Sequence, residues 1–339
     1  MVLKIKTGST ILNCIVGDGF PVGKVLNIVG DKSSGKSFLA CEIINSAVNQ
    51  YGKKLKWFYD DCEGGFNFNT KEIYGFDIMK DEFMASDSVE ELGIKINEEL
   101  DKLKNNEMLV YVVDSLDGLS SLAEKERDIK RTKSFKQGSK ITGSYGLEKQ
   151  SYISEFFRLN INKIKNKNCL LIIISQVREN IGVMFGSKYK RTGGKSLDHY
   201  AHTVLWLAEV EKIKKKNRVT GVTVKAKTTK SKTTRPFREG FIDILFDYGV
   251  DEVGSNLDFL YDLRTDRGKR KKTEKTLSWK IKEKDKKNFE DREKLIAFIE
   301  DNDLEIKLSG KVKEKWELIE ESIRPKRKKK FNNKQGKNE

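Results

Sequence analysis

The sequence predicts an α/β fold on a mixed sheet, parallel in its first part and antiparallel in its second. Near-continuous apolar runs recur at 25–29, 55–60, 108–114 and 169–175, the pattern of strands covered on both faces. Helix-period segments at 38–44, 89–103 and 148–164 separate them, so strand and helix alternate. After Gly194 the alternation stops. Segments 203–210, 219–227 and 241–246 read as strands with no long helix between them. Val222, Val224 and Ala226 there alternate with Thr223, Lys225 and Lys227, as in a half-exposed antiparallel strand.

Taken in order, the first strand runs into Gly30-Asp31-Lys32-Ser33-Ser34-Gly35-Lys36-Ser37, and Phe38 opens an apolar-faced helix. The segment matches G-x-x-x-x-G-K-[ST] in full, and strand, glycine loop and helix are the context that motif requires. Backbone N–H groups of such a loop converge on phosphate oxygens. Gly30 and Gly35 let the chain approach without a Cβ, Lys36 would reach the β- and γ-phosphates, and the Ser37 hydroxyl would ligate Mg²⁺. These residues imply a bound nucleoside triphosphate.

The second strand ends at Asp60, Asp61 and Glu63, followed by Gly64-Gly65. A carboxylate there can align or deprotonate an attacking water. The residue types alone do not rank these three acids. The third strand closes on Asp114, a carboxylate at the C-terminal sheet edge where Mg²⁺ needs a second acid; Ser115 beside it could help hold bound water. The fourth leads to Gln176, a neutral amide able to contact a γ-phosphate without adding repulsive charge. Beyond it stand Arg178, Asn180, Ile181, Gly182, Val183, Met184, Phe185, Gly186, Lys188, Lys190 and Arg191, closing at Thr192-Gly193-Gly194. Cations suit phosphates and apolar groups suit bases, which predicts a loop ordered by nucleic acid.

Four units are expected: a core over 1–263, a charged linker over 264–288, a small, mostly helical C-terminal module over 289–323, and a basic disordered tail over 324–339. The apolar positions of the module are Leu295, Ile296, Phe298 and Ile299, then Val312, Trp316, Leu318 and Ile319. A net charge of +16 draws the chain toward polyanions, although a lysine-rich surface alone would give the same excess. No apolar run approaches the ~20 residues that span a bilayer. The N-terminal residues lack signal-peptide order. The scattered Cys14, Cys41, Cys62 and Cys169 suggest reduced thiols in a cytoplasmic protein, with neither a disulfide frame nor a zinc site. His199 and His202 are the only histidines; with no third ligand near, they read as surface or interface positions.

The run from Gln176 to Gly186 with Thr192-Gly193-Gly194 resembles the second DNA-binding loop of the RecA recombinases. The phosphate loop with its Ser33-Ser34 pair, Asp61-Cys62-Glu63 and Val112-Val113-Asp114-Ser115 are similar to that family as well. The resemblance covers roughly Lys6 to Leu263 and implies a RecA-like P-loop ATPase core. It makes Glu63 the catalytic glutamate, Gln176 the nucleotide sensor, and Phe246 an aromatic near the adenine. Lys230 and Lys232 would reach the γ-phosphate of the neighbouring subunit. A first DNA loop is expected between Glu124 and Leu147, with Arg127, Lys130, Arg131 and Lys140 among its cations. The implied protein binds ATP with Mg²⁺ between subunits, assembles as a homo-oligomeric filament on single-stranded DNA, pairs it with double-stranded DNA, and has no membrane partner.

Some features depart from the bacterial pattern and point toward phage-encoded relatives. The core begins almost at Met1, where bacterial members carry an N-terminal helix and strand that dock on the next protomer. His199 stands at an aromatic filament-contact position, and the tail is basic where theirs is acidic. A hexameric helicase motor and a non-filamenting mediator or scaffold are the alternative readings. The helicase would need an N-terminal domain or linker helix for which little room is expected here. The short N-terminus favours a mediator, whereas intact Lys36, Glu63 and Asp114 argue against one.

Overall fold

The computed structural model describes residues 3–79, 85–136, 147–179, 189–191, 194–271, 277–280 and 286–327. The chain opens with β1 (Lys4–Ile5), α1 (Thr10–Val16) and β2 (Phe20–Pro21). The parallel part follows as β3 (Lys24–Gly30), α2 (Lys36–Tyr51), β4 (Leu55–Asp61), α3 (Thr70–Tyr74), α4 (Val89–Lys102), β5 (Met108–Asp114), α5 (Leu122–Lys136), α6 (Leu147–Asn166) and β6 (Cys169–Glu179). Then come β7 (Tyr189–Arg191), α7 (Gly194–Tyr200), β8 (Thr203–Lys215), β9 (Arg218–Ser231), β10 (Glu239–Leu245), β11 (Gly249–Val250) and α8 (Glu252–Leu260). The C-terminal part holds β12 (Leu277–Lys280), β13 (Lys286–Phe289), α9 (Arg292–Asp301) and α10 (Glu305–Ser322).

The main sheet has the order β11-β10-β9-β8-β3-β6-β5-β4, with β7 paired to the end of β6. Strands β8, β3, β6, β5 and β4 are parallel, and β9, β10 and β11 continue the sheet antiparallel. The mixed α/β architecture read from the sequence is therefore the one observed. Burial explains why the parallel strands read as unbroken apolar runs. In β5, Val110 and Val112 point into the cluster that holds Leu39 and Ile43 of α2. Leu109, Tyr111 and Val113 point into the opposite cluster, with Leu92 and Ile96 of α4 and Phe157 of α6. Successive side chains alternate between faces, and both faces are covered.

Local signals set the helix starts. The Ser88 side chain accepts from Glu91 N, and Glu90 and Glu91 place negative charge in the first turn of α4. Asp251 caps α8 and Asp291 caps α9 in the same way. Not every apolar position expected on a helix is inside: Leu159 of α6 and Leu318 and Ile319 of α10 are exposed.

The stretch expected to be a linker departs most from the sequence reading. Strands β12 and β13 form an antiparallel hairpin in register Leu277↔Phe289, and Trp279 is buried in the main core cluster. Before it, Arg264 and Arg270 reach back to Asp243 and Asp258, which are both almost fully buried; Arg292 of α9 joins them, its Nε donating to Asp258 Oδ1 at 2.7 Å. What reads as a charged linker is thus partly a set of internal ion partners for two acids of β10 and α8. Helices α9 and α10 continue the same packing, with Leu295, Ile299, Leu308 and Val312 in the core cluster and α10 against α8 and α1. Residues 324–327 are exposed, and the rest of the basic tail lies outside the described residues. Among the described residues no helix is long and apolar enough to cross a membrane.

Candidate nucleotide site and nucleic-acid edge

Strand β3 lies between β8 and β6, each of which it pairs in parallel, so its C-terminal end opens at a switch point of the sheet. Such crevices are where doubly wound sheets take ligands. The loop 30–35 leaves β3 there. Gly35 has φ +81°, and a Cβ on it would lie 2.5 Å from Ile244 Cδ1. At Gly30 an added Cβ would lie 2.6 Å from the Leu207 carbonyl oxygen. Gly30 is therefore required by close approach to backbone, and Gly35 by its left-handed backbone. The loop curls on itself: Ser34 Oγ donates to Asp31 O at 2.8 Å, and Lys36 Nζ donates to the same oxygen at 2.7 Å.

Lys36 is largely buried, and that burial lowers its pKa; Asp114, Glu63, Asp31 and Asp117 oppose the shift by favouring its charged form. Asp114 is also buried, which pushes its carboxyl up from the ordinary value, while hydrogen bonds from Ser37 and Tyr59 pull it back. The Tyr59 hydroxyl donates to Asp114 Oδ2 at 2.5 Å. A buried carboxylate beside a serine hydroxyl is a hard-oxygen donor pair of the kind Mg²⁺ takes. Asp114 and Ser37 therefore fit the ion.

The structure separates the three acids that the sequence left unranked. Asp60 is fully buried and satisfied by Ser86 N, Ser86 Oγ and the Tyr111 hydroxyl, so it braces the sheet. Asp61 Oδ2 accepts from Phe66 N at 2.8 Å and shapes the turn. Glu63 is the one of the three among the charges acting on Lys36 of the loop, and its Oε1 accepts from Gln176 Nε2 at 2.8 Å and from the Ser115 hydroxyl. Ser115, expected near bound water, thus orients Glu63.

A cavity of about 510 Å³ adjoins the loop, bounded by residues 33–37 on one side and by Phe38, Phe68, Val222, Ile244 and Phe246 on the other. That volume lies within the usual range for small-molecule sites. Phe246 is half exposed, its ring free to meet a planar group. Clefts of about 500 and 740 Å³ against α10 do not touch the loop.

Two participants escaped the sequence reading. Tyr59 lies within an apolar run and gives no sign that its hydroxyl meets Asp114. Asp117 follows Asp114 by a single turn, and its Oδ2 accepts from Gln176 N at 2.9 Å. Gln176 is thereby held twice, by backbone to Asp117 and by side chain to Glu63.

Lys230 and Lys232 do not join the loop of their own chain. Lys230 pairs with Val204, which is level with Asn27, whereas the loop starts at Gly30, level with Leu207. The offset is roughly 10 Å along the sheet, toward the opposite end of the parallel strands. Lys230 Nζ donates to Asp198 O and to His199 O at 3.1 Å, and Lys232 is exposed.

At the sheet edge Arg178 is paired in register with Lys190 in the β6–β7 ladder, which forms the base of the expected second DNA loop. Asn180, Ile181, Gly182, Val183, Met184, Phe185, Gly186, Lys188, Thr192 and Gly193 lie outside the described residues, as does Lys140. Arg191 ends β7 and Gly194 opens α7. On α5, Lys130 and Arg131 are exposed, while Arg127 is engaged with Glu148 at 2.8 Å, a link between α5 and α6. His202 is half buried, and desolvation with nearby Lys24, Lys232 and Lys230 lowers it to about 4. Among the described residues no group of His, Cys, Asp and Glu could hold a metal on its own, and all four cysteines are free.

Residues 1–251 match the family model for the RecA N-terminal domain. Over 94% of its length the chain is 28% identical to Protein RecA of Clostridioides difficile (strain 630), covering 84% of that protein. It is 31% identical to Protein RecA of Chloroherpeton thalassium over 76% of the chain and 68% of that protein. With Protein RecA of Allochromatium vinosum it shares 32% identity over 75% of the chain and 68% of that protein.

Proposed function

The chain belongs to the RecA family, and from that premise we propose that it is a DNA-dependent ATPase that forms filaments on single-stranded DNA and pairs them with homologous duplex. The observation that carries this reading is the hydrogen bond from Gln176 Nε2 to Glu63 Oε1. It joins the acid that faces the phosphate loop to the residue from which β6 runs into the second loop. Occupancy of the nucleotide cavity and the state of that loop then share one contact, which is the physical requirement for coupling two sites.

In this reading ATP lies in the cavity with its base toward Phe246 and its phosphates over residues 30–37. Ser37 and Asp114 would hold Mg²⁺, which would supply positive charge beside the transferring phosphate. Glu63 orients the attacking water, and Lys36 stabilises the β- and γ-phosphates. Lys230 and Lys232 complete the site of the next subunit; their distance from their own loop supports that role. Arg178, Lys190, Arg191 and the loop between them hold single-stranded DNA with Lys130 and Arg131. The protein acts in the cytoplasm, in DNA recombination and repair.

DNA-dependent ATPase assays combined with negative-stain imaging test the proposal. With ATP and single-stranded DNA, helical filaments and stimulated turnover are expected. Closed rings would favour a hexameric motor, and neither assembly nor stimulation would favour a mediator. Lys36→Ala should reduce stimulated turnover by about 10²–10³-fold, the usual cost of losing a phosphate-stabilising group. Unchanged turnover would remove Lys36 from the site.

A further inference from the structure

Strands β8 and β9 outrun the sheet that carries them. The pairing of β8 with β3 ends at Gly30↔Leu207, and that of β10 with β9 ends at Leu245↔Gly221. Beyond those points β8 and β9 continue as a two-stranded arm closed at Lys216 and Asn217. From its parallel alignment with β3, the arm leaves the sheet on the edge where the phosphate loop sits, and Lys212 and Val219 at its root border the nucleotide cavity. Lys212, Lys214, Lys215, Lys216 and Arg218 are all exposed, and none makes an ion pair among the described residues. Glu211, the nearest buried-side acid, is engaged with Arg264 and with Arg270 N.

Folding does not account for these cations. Lys215 and Arg218 are directly opposed in the ladder, a like-charge pairing that destabilises a hairpin. Lys216 takes φ +48° and Asn217 φ +63°, a turn for which Asn and Gly are the favoured residues. A lysine at the first of these positions and cations on both flanks cost the hairpin stability. Register shifts at Glu209/Glu211 and Ile213/Lys214 add local twist to the arm, a device common where strands are re-aimed at a partner.

We propose that this arm binds the phosphate backbone of duplex DNA, as a contact separate from the two DNA loops. The inference deepens the proposed function and rests on its premise that the chain handles DNA. Two features select duplex over single strand. A two-stranded β-ribbon fits the major groove of B-form DNA, about 12 Å wide. Single strands are held chiefly by stacking on aromatic rings, and residues 208–220 contain none. Its cations are exposed on flexible stems suited to phosphate oxygens, so the arm binds with little sequence preference. The end of β6 and its partner β7 lie on the far side of β3 at the same edge, so the arm and that strand pair flank the phosphate loop.

The test uses the full chain with Lys214, Lys215, Lys216 and Arg218 changed to Gln, leaving Lys212 intact because it borders the nucleotide cavity. The control changes Lys53, Lys54, Lys102 and Lys104 to Gln, removing the same charge from exposed positions elsewhere. Binding of a mixed-sequence duplex and of oligo(dT) is measured across a salt series, with ATPase and assembly recorded alongside. The arm variant should bind duplex at least about tenfold more weakly, and its salt slope should fall by about 0.9 for each phosphate it no longer neutralises. Oligo(dT) binding and oligo(dT)-stimulated ATPase should change less than about twofold, and the control should keep wild-type duplex affinity. Equal weakening in the control would reduce the arm to net charge and overturn the proposal, as would unchanged duplex binding. Failure to assemble in the absence of duplex would make the arm a contact to another copy of this chain, which also overturns it. A wild-type protein that binds oligo(dT) but no duplex defeats the arm alone, whereas one that binds no DNA defeats the functional reading itself.

Discussion

At the scale of single residues, the site depends on how Gln176 is held. Asp117 fixes its backbone and Glu63 receives its side chain, so the amide cannot turn toward a phosphate without leaving the acid. A hydrogen bond to a charged acceptor contributes about 1.5–3 kcal/mol. Asp117→Ala should therefore weaken the coupling: DNA stimulation of ATPase, the ratio of stimulated to basal turnover, is expected to drop about tenfold. Asp117→Asn, which keeps an acceptor, should recover part of it. Equal loss of basal and stimulated turnover would show general damage to the site instead. Residue types alone could not have found Asp117, because its role exists only once β5 and β6 lie side by side. The same limit applies to Asp60, Asp61 and Glu63. All three carboxylates sit at one strand end, and only their partners show which is braced, which shapes a turn and which faces the loop.

At the scale of elements, patterns with a period were legible and partners that neutralise charge were not. Strands β3 to β6 declared themselves because both faces are apolar, and the phosphate loop because its glycines and lysine have fixed spacing. The segment after Leu263 misleads for a physical reason: its arginines look solvated until Asp243 and Asp258, both earlier in the chain, are seen buried beneath them. Within that stretch Leu277 and Trp279 are the side chains that reach the core. Trp279→Ala should destabilise the protein by about 3–5 kcal/mol, the usual cost of truncating a buried large aromatic. Denaturant unfolding monitored by circular dichroism would read it. A change under about 1 kcal/mol would mean that the hairpin is a detachable flap.

At the scale of the whole molecule, each chain gathers the phosphate loop, Glu63 and Asp114 at one edge of its sheet, while Lys230 and Lys232 lie away from that edge. If those lysines act across a subunit boundary, neither Lys230→Ala nor Glu63→Ala protein should turn over ATP well alone. Mixing them should restore a measurable fraction, because some boundaries then pair an intact Glu63 with an intact Lys230. Zero recovery in well-mixed assemblies would count against a shared site.

Strand β9 carries a further consequence. One end of it borders the cavity through Val219 and Val222, and the other presents Lys230. An insertion or deletion between them would move the lysine by roughly 3.3 Å per residue and turn it to the other face of the sheet. Over that interval the strand acts as a fixed ruler between the cavity and Lys230. Evolutionary drift in chain length should therefore collect at the Lys216–Asn217 turn and in the loops after β5 and β6, and spare the span from Gly221 to Thr228.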